Sequence, residues 1–306
     1  MSGTTRVLVT GAGGQVGRDL LDVLRGAVPP GGDPTFSPDG REVRDDEFDV
    51  LGLTHDDLDV GDPVATRRAV ATAQPDVIVH LAAYTAVDRA ETDVEACFRV
   101  NAGATATLSD AAREFGAHLV AVSTDYVFDG WKGAPYVETD APSPLNVYGA
   151  SKLAAERACR AEDTLVRTSW VMGVRGRGVV QVIARRARAG ETVRFVTDQT
   201  GTVTVAADLA RALVTLVRER PGGVWHVANQ PATTWYDLAV FVGATLGRPD
   251  GFVEPITTGD LSPAPAAIRP ARSDLSTDKW VAHGWRALPE WRDGVARLVH
   301  ALDEAP

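Results

Sequence analysis

The stretch RVLVTGAGGQVGRDLLDVLRGA, residues 6–27, decides the fold. RVLVT (6–10) is a short β-branched run, and the apolar residues of RDLLDVLRGA (18–27) recur at helical spacing. Between them, GAGGQVG (11–17) sets Gly11, Gly14 and Gly17 three residues apart. Each glycine has a use in a strand-to-helix turn of this kind. Gly11 permits the tight turn, Gly14 lets the backbone approach a pyrophosphate, and Gly17 lets the helix pack on the strand. The helix start, with Gln15 and Val16, offers unpaired N–H groups and the positive end of its dipole to phosphates. Without its flanks the glycine pattern would be a plain turn. With a strand before it and a helix after it, the segment predicts a dinucleotide site.

Working outward, Pro, Gly and Asp crowd residues 28–47, which read as an exposed, mobile loop. FDVLGLT (48–54) follows as a second strand, DPVATRRAVATAQ (62–74) as a helix and PDVIVHLAAY (75–84) as a buried parallel strand. One long helix is expected over 93–116, then the strand HLVAVST (118–124), a helix after SPLN (143–146), and the strand TLVRTSW (164–170). This alternation predicts an α/β fold, a doubly wound parallel sheet of Rossmann type. Residues 1–170 are expected to form the dinucleotide-binding domain. Residues 171–306 are expected to form mainly a smaller substrate-binding lobe over the sheet's C-terminal edge, with some segments returning to the first domain. A nucleotide-selecting acid belongs near His55, Asp56 and Asp57, at the end of the second strand. No basic residue there marks a 2′-phosphate, so NADH and NADPH both remain open. Asp59 and Val60 could border the adenine.

Composition narrows the function classes. No apolar run approaches the ~20 residues of a membrane span, and the N-terminus runs into the first strand without room for a signal peptide. The net charge of −10 argues against a nucleic-acid surface. Cys97 and Cys159 have neither pairing nor metal-ligand spacing, which suits buried fillers on helices in a reduced cytoplasmic interior. No metal site is expected.

Two segments carry chemistry. STDYVFDG (123–130) places hydroxyl, acid and aromatic alcohol at a strand end, and VYGASKLAAE (147–156) has strong helix propensity. Tyr148 and Lys152 stand four apart and so share one helix face. A phenol with pKa near ~10 is a poor proton carrier at neutral pH, and a cation one turn away favours its ionised form. Such a lysine can also hold a nicotinamide ribose. Tyr126 and Tyr136 have no lysine four residues on.

Together, GAGGQVG, the hydroxyl of Thr124 and YGASK resemble the extended short-chain dehydrogenase/reductase superfamily. That resemblance implies Thr124, Tyr148 and Lys152 as the catalytic set. PDVIVHLAAYTAVDRAE (75–91), STDYVFDG, ETDAPSPLNVYGASKLAAE (138–156), RTSWV (167–171), DQTGTVT (198–204), TTWYDLA (233–239) and RPARSDLSTDK (269–279) follow the order seen in dTDP-4-dehydrorhamnose reductases. This resemblance implies reduction of the C4 ketone of a dTDP-4-keto-6-deoxy-L-hexose by NADPH or NADH. It sets Ala82, Ala83 and Tyr84 beside the cofactor, and Asp125 and Tyr126 on the sugar. Trp170 becomes a wall of the sugar pocket, Arg269 a partner for the diphosphate, and Arg272 part of the substrate loop. The related 4,6-dehydratases carry glutamate where Tyr126 stands, which disfavours dehydration here.

The match frays at three places: Val203 replaces a proline, GVRGRGVV (173–180) replaces a stretch with Asn-Phe, and Arg272 replaces an asparagine. These departures suggest an altered substrate shell. They keep open a ring-contracting dihydrostreptose synthase acting on the same sugar nucleotide. A non-catalytic reading, similar to the regulatory β-subunit of methionine adenosyltransferase, is disfavoured by the intact catalytic set. The chain is expected to act as a monomer or homodimer.

Overall fold

The computed structural model describes residues 3–304; Met1, Ser2, Ala305 and Pro306, at the outer ends of the two expected domains, lie outside the described residues. Strands β1 (Thr5–Thr10), β2 (Phe48–Leu53), β3 (Val77–His80), β4 (His118–Thr124) and β5 (Thr164–Thr168) alternate with helices α1 (Gln15–Leu24), α2 (Pro63–Ala73), α3 (Val87–Ala90), α4 (Val94–Phe98), α5 (Ala104–Phe115) and α6 (Val147–Ala158). Beyond them come β6 (Val171–Met172), α7 (Val179–Arg188), β7 (Val193–Val196), β8 (Thr200–Gly201), β9 (Thr204–Val205), α8 (Ala206–Glu219) and β10 (Gly223–His226). The chain then continues through β11 (Thr233–Thr234), α9 (Trp235–Thr245), β12 (Val253–Ile256), α10 (Asp278–Ala282) and α11 (Trp291–Glu304).

The main sheet has the order β10-β5-β4-β3-β1-β2, and all of its pairings are parallel. Its unbroken apolar strands are covered on both faces, as parallel strands require. On one face, Val7, Val9, Val79, Val120 and Val166 meet α1 and α8. On the other, Leu8, Ile78, Leu119 and Leu165 meet α5 and α2. The chain winds outward from β1 to β2 and returns to β3 on the other side of β1. A crevice therefore opens at the C-terminal ends of β1 and β3, where ligands bind in this class of sheet. A second core joins α7, α9 and α11 around Ile183, Leu238, Val242 and Trp291.

Helices α2 and α6 start at side-chain caps. Asp62 accepts from the N–H groups of Val64 and Ala65 at 2.9 and 3.0 Å, with Pro63 in the first turn. Asn146 accepts from the Gly149 N–H at 2.8 Å.

Three expectations change, those for the 28–47 loop, the 93–116 helix and Cys159. The 28–47 loop is pinned: Phe36 is buried in the core, and buried Arg218 of α8 pairs with Asp39 and Glu47 at 2.9 and 2.7 Å. The long helix over 93–116 is interrupted by a π turn at Arg99–Gly103, because Asn101 turns its side chain onto the Tyr84 backbone. Beyond residue 170, DLARALVTLVRE (208–219) and GGVWHVANQ (222–230) supply α8 and β10 to the first domain, α8 on a face of the main sheet and β10 at its edge. Of the two cysteines, only Cys97 is buried on a helix; Cys159 is half-buried at the end of α6. No helix among the described residues is long and apolar enough to cross a membrane.

Candidate active site

The crevice is one cavity of about 920 Å³. At one end lies the glycine turn. Gly11 sits at φ +71, and a Cβ there would come 2.5 Å from the Ala82 backbone nitrogen. A Cβ on Gly17 would come 2.3 Å from the Gly11 carbonyl oxygen. Both glycines are therefore required by close backbone approach. Gly14 caps α1 with no side-chain hydrogen bond, unlike the caps of α2 and α6, so the first-turn N–H groups are left for an anion. That uncapped start fits a dinucleotide pyrophosphate.

Every residue expected to hold the cofactor lines this cavity: Gly11, Gly14, Gln15, Val16, Gly17, Asp59, Val60, Ala82, Ala83, Tyr84, Tyr148 and Lys152. Arg18, Thr54, His55 and Asp56 line it as well. Arg18 was absent from the sequence reading, although it directly follows the last glycine. Arg99 is bound to Asp59 at 3.0 Å, and Asp57 folds back onto Thr54.

At the other end, β4 and α6 bring Thr124, Tyr148 and Lys152 together. The Thr124 hydroxyl donates to Asp125 Oδ1 at 3.0 Å and faces the Tyr148 hydroxyl. Burial pushes the Tyr148 phenol up to about 12; the Thr124 hydrogen bond opposes this rise, and the nearby Asp125 adds to it. Lys152 Nζ donates to the Val122 carbonyl at 2.6 Å. Burial lowers its pKa to about 8, against the pull of Glu156. Desolvation dominates, and it keeps the phenol protonated.

Asp125 is also engaged. Ser273 donates to its Oδ2 at 2.5 Å, and burial pushes the carboxyl up to about 7. Trp170 lines the cavity in a left-handed conformation at φ +43. Its ring stacks on Trp235 with centroids 3.8 Å apart and lies where a Cβ on Gly201 would come within 2.6 Å. Strained backbone at such a residue marks a position held by its surroundings.

Tyr126, Arg269 and Arg272 do not line the cavity. Tyr126 stands edge-on to Tyr148 at 6.0 Å between centroids. Arg269 holds Asp88 of α3 through two nitrogens at 2.5 Å and lies against the Tyr126 hydroxyl. Arg272 is turned to Asp274 at 2.7 Å and to the Gly133 carbonyl at 3.1 Å. Val203 is fully buried in the second core, and Arg175 of GVRGRGVV bridges to Asp19 and Asp22 of α1. None of the three departures from the family pattern therefore faces the cavity. Phe128 is buried and stacks on Tyr136 at 4.0 Å, a packing role. Among the described residues no cluster of three or more His, Cys, Asp or Glu side chains comes together as a metal site.

Residues 40–304 match the model of the RmlD substrate binding domain. A dTDP-4-keto-6-deoxy-D-glucose reductase of Streptomyces niveus is 36% identical over 98% of each chain. A dTDP-4-dehydrorhamnose reductase of Burkholderia thailandensis is 37% identical over 97% of this chain and 99% of its own. The crystal structure of a dTDP-4-dehydrorhamnose reductase from Bacillus anthracis in complex with NADP superposes with a TM-score of 0.86 at 30% identity, covering 96% of this chain and 98% of that one. The shared fold, the glycine turn at one end of the cavity and the Thr124, Tyr148 and Lys152 set at the other lead to the same conclusion: this chain belongs to the dTDP-4-dehydrorhamnose reductase family.

Proposed function

We propose that this protein reduces the C4 ketone of a dTDP-4-keto-6-deoxyhexose, of the 4-keto-L-rhamnose type, using NADPH or NADH. The observation that carries this reading is a single cavity joining an uncapped helix start to Tyr148, Lys152, Thr124 and Trp170. The names of the relatives supply the substrate class. When bound, the nicotinamide supplies a hydride.

The chain's own residues do the rest. Gly14, Gln15 and Val16 hold the pyrophosphate at the start of α1, and Lys152 grips the adjoining ribose. Tyr148, kept protonated by burial, gives its proton to the ketone oxygen, and Thr124 hydrogen-bonds that oxygen. Trp170 walls the sugar. Asp125, being tied to Thr124 and Ser273, acts on the hydroxyl of Thr124 more directly than on the sugar. Arg269, held by Asp88 outside the cavity lining, would meet a diphosphate only on releasing that carboxylate.

Because Val203, Arg272 and residues 173–180 lie away from the cavity lining, they give no ground for ring contraction, and simple reduction is the reading adopted. We further propose a cytoplasmic enzyme acting as a monomer or homodimer; the net charge of −10 supports the absence of a nucleic-acid partner.

The test is product analysis by NMR and mass spectrometry after incubation of dTDP-4-keto-L-rhamnose with NADPH, beside Tyr148→Phe. A six-membered dTDP-L-rhamnose, with turnover lost in the variant, is expected. A five-membered branched product, or no NADPH oxidation by the wild type, overturns the reading.

A further inference from the structure

Tyr148, Lys152 and Glu156 occupy successive turns of one face of α6, and each meets the end of β4. Tyr148 faces Thr124, Lys152 Nζ donates to the Val122 carbonyl at 2.6 Å, and Ser123 Oγ donates to Glu156 Oε1 at 2.6 Å. On the neighbouring strand β5, Arg167 lies directly across from Ser123. It grips Glu156 with two nitrogens, Nε to Oε1 at 3.0 Å and Nη2 to Oε2 at 2.7 Å. Both side chains are buried, at 4% and 6% exposure.

An ion pair in this setting needs a reason, because two apolar side chains of similar volume hold a sheet and helix together at least as well. The reason lies one turn away. The Lys152 ammonium is buried, with a carbonyl as its hydrogen-bond partner. The groups facing it from the surrounding elements are Glu156 and Cys159 from α6, Cys97 from α4 and His80 from β3. Burial keeps both thiols protonated and His80 neutral. Glu156, one turn further along the same face of α6, is therefore a carboxylate set to act on Lys152. Arg167 and Ser123 occupy both Glu156 oxygens and fix where that carboxylate stands.

We infer that Glu156 is a positioning residue for Lys152: it supplies the buried counter-charge that keeps the lysine cationic at working pH, with Arg167 and Ser123 as its anchors. The inference rests on the proposed role of Lys152 toward the cofactor. Glu156 acts through the lysine and never touches substrate, so it stands behind the catalytic set of Thr124, Tyr148 and Lys152 and outside it.

The test follows NADPH affinity, by fluorescence, and kcat/KM between pH 6 and 9 for the wild type and Glu156→Gln. The wild type should lose affinity on the alkaline side as Lys152 deprotonates. In Glu156→Gln that limb should move to lower pH by about one unit, so that the variant-to-wild-type affinity ratio falls about fivefold between pH 6 and pH 8 and approaches tenfold only at higher pH. Should the single variant fold poorly with Arg167 left unpaired, Glu156→Gln combined with Arg167→Gln removes both charges. Its thermal stability should recover while the limb stays displaced. A loss of thermal stability with an unmoved limb in both variants reduces Glu156 to a structural clamp and overturns the inference. A wild type that binds NADPH with an alkaline limb yet reduces no dTDP-4-keto sugar sinks the substrate reading alone, and one that binds no NADPH sinks both.

Discussion

Gly149→Ala sets two effects of opposite sign against each other. In an exposed helix, replacing glycine by alanine stabilises by about 1 kcal/mol. Gly149, however, lies in the first turn of α6, where a Cβ would stand 2.1 Å from the Tyr126 carbonyl oxygen and 3.0 Å from Pro144 Cβ. Ordinary contact begins at 3.4 Å, so the shortfall is 3.4 − 2.1 = 1.3 Å. The obstructing atom is backbone, two residues past Thr124, and cannot swing aside as a flexible side chain would. Overpacking of this kind costs about 1–3 kcal/mol, which exceeds the helix-propensity gain. The net loss of about 1 kcal/mol corresponds to a fall in Tm of roughly 1–2 °C for a chain of this size.

The catalytic effect should be far larger. Tyr148 is the adjacent residue, and a displacement of about 1 Å at a reacting group costs on the order of 100-fold in rate. Differential scanning fluorimetry beside steady-state kinetics, with dTDP-4-keto-L-rhamnose and NADPH, separates the two effects. The expected result is a small drop in Tm with a kcat about 100-fold lower. A variant as active as the wild type, with equal or higher Tm, would refute the claim that α6 is seated on the Tyr126 backbone.

Two further outcomes follow from buried charge. Burial lifts the Asp125 carboxyl from 3.8 to about 7, so its ionised form is disfavoured in the fold, and the cost builds from about pH 4 and is complete above pH 7. Asp125→Asn should therefore gain stability relative to the wild type as pH rises from 4 to 8, by roughly 4 kcal/mol for three pKa units; parallel Tm–pH curves would exclude this. Arg218→Ala takes the shared cation from half-buried Glu47 and leaves Asp39 with Arg41 alone, which costs about 1–3 kcal/mol by urea denaturation and should open residues 28–47 to limited proteolysis. Loss of under 1 kcal/mol with the loop still resistant would mean the loop is held by Phe36 alone.

Local spacing made much of the site legible. Glycines three apart and a tyrosine–lysine pair four apart are statements about neighbours in the chain, and the crevice brings these residues together as such spacing requires. What stayed hidden depends on partners far apart in sequence. Arg218 and Asp39 are separated by 179 positions, and Arg269 and Asp88 by 181. No periodicity encodes which carboxylate such an arginine meets. Arg272 shows a second limit. A motif fixes where a residue falls in the chain, but a backbone bridge to Thr200 and the pull of Asp274 turn its side chain away from the cavity. The π turn at Arg99–Gly103 is a third. It arises because the Asn101 side chain satisfies the Tyr84 backbone, while the surrounding sequence has ordinary helix propensity.

The order of the main sheet has a consequence for how the protein must be made. Strand β10 forms its outer edge, and α8, Trp225, Trp280 and Trp285 cover the face that α1 shares. A nascent chain that has emerged only as far as β5 displays an open strand edge and a half-covered apolar face, both prone to sticking to other chains. The nucleotide-binding half therefore cannot mature before the C-terminal half has left the ribosome. Residues 1–170 produced alone should accumulate as insoluble material, and co-producing residues 171–306 should draw them into solution.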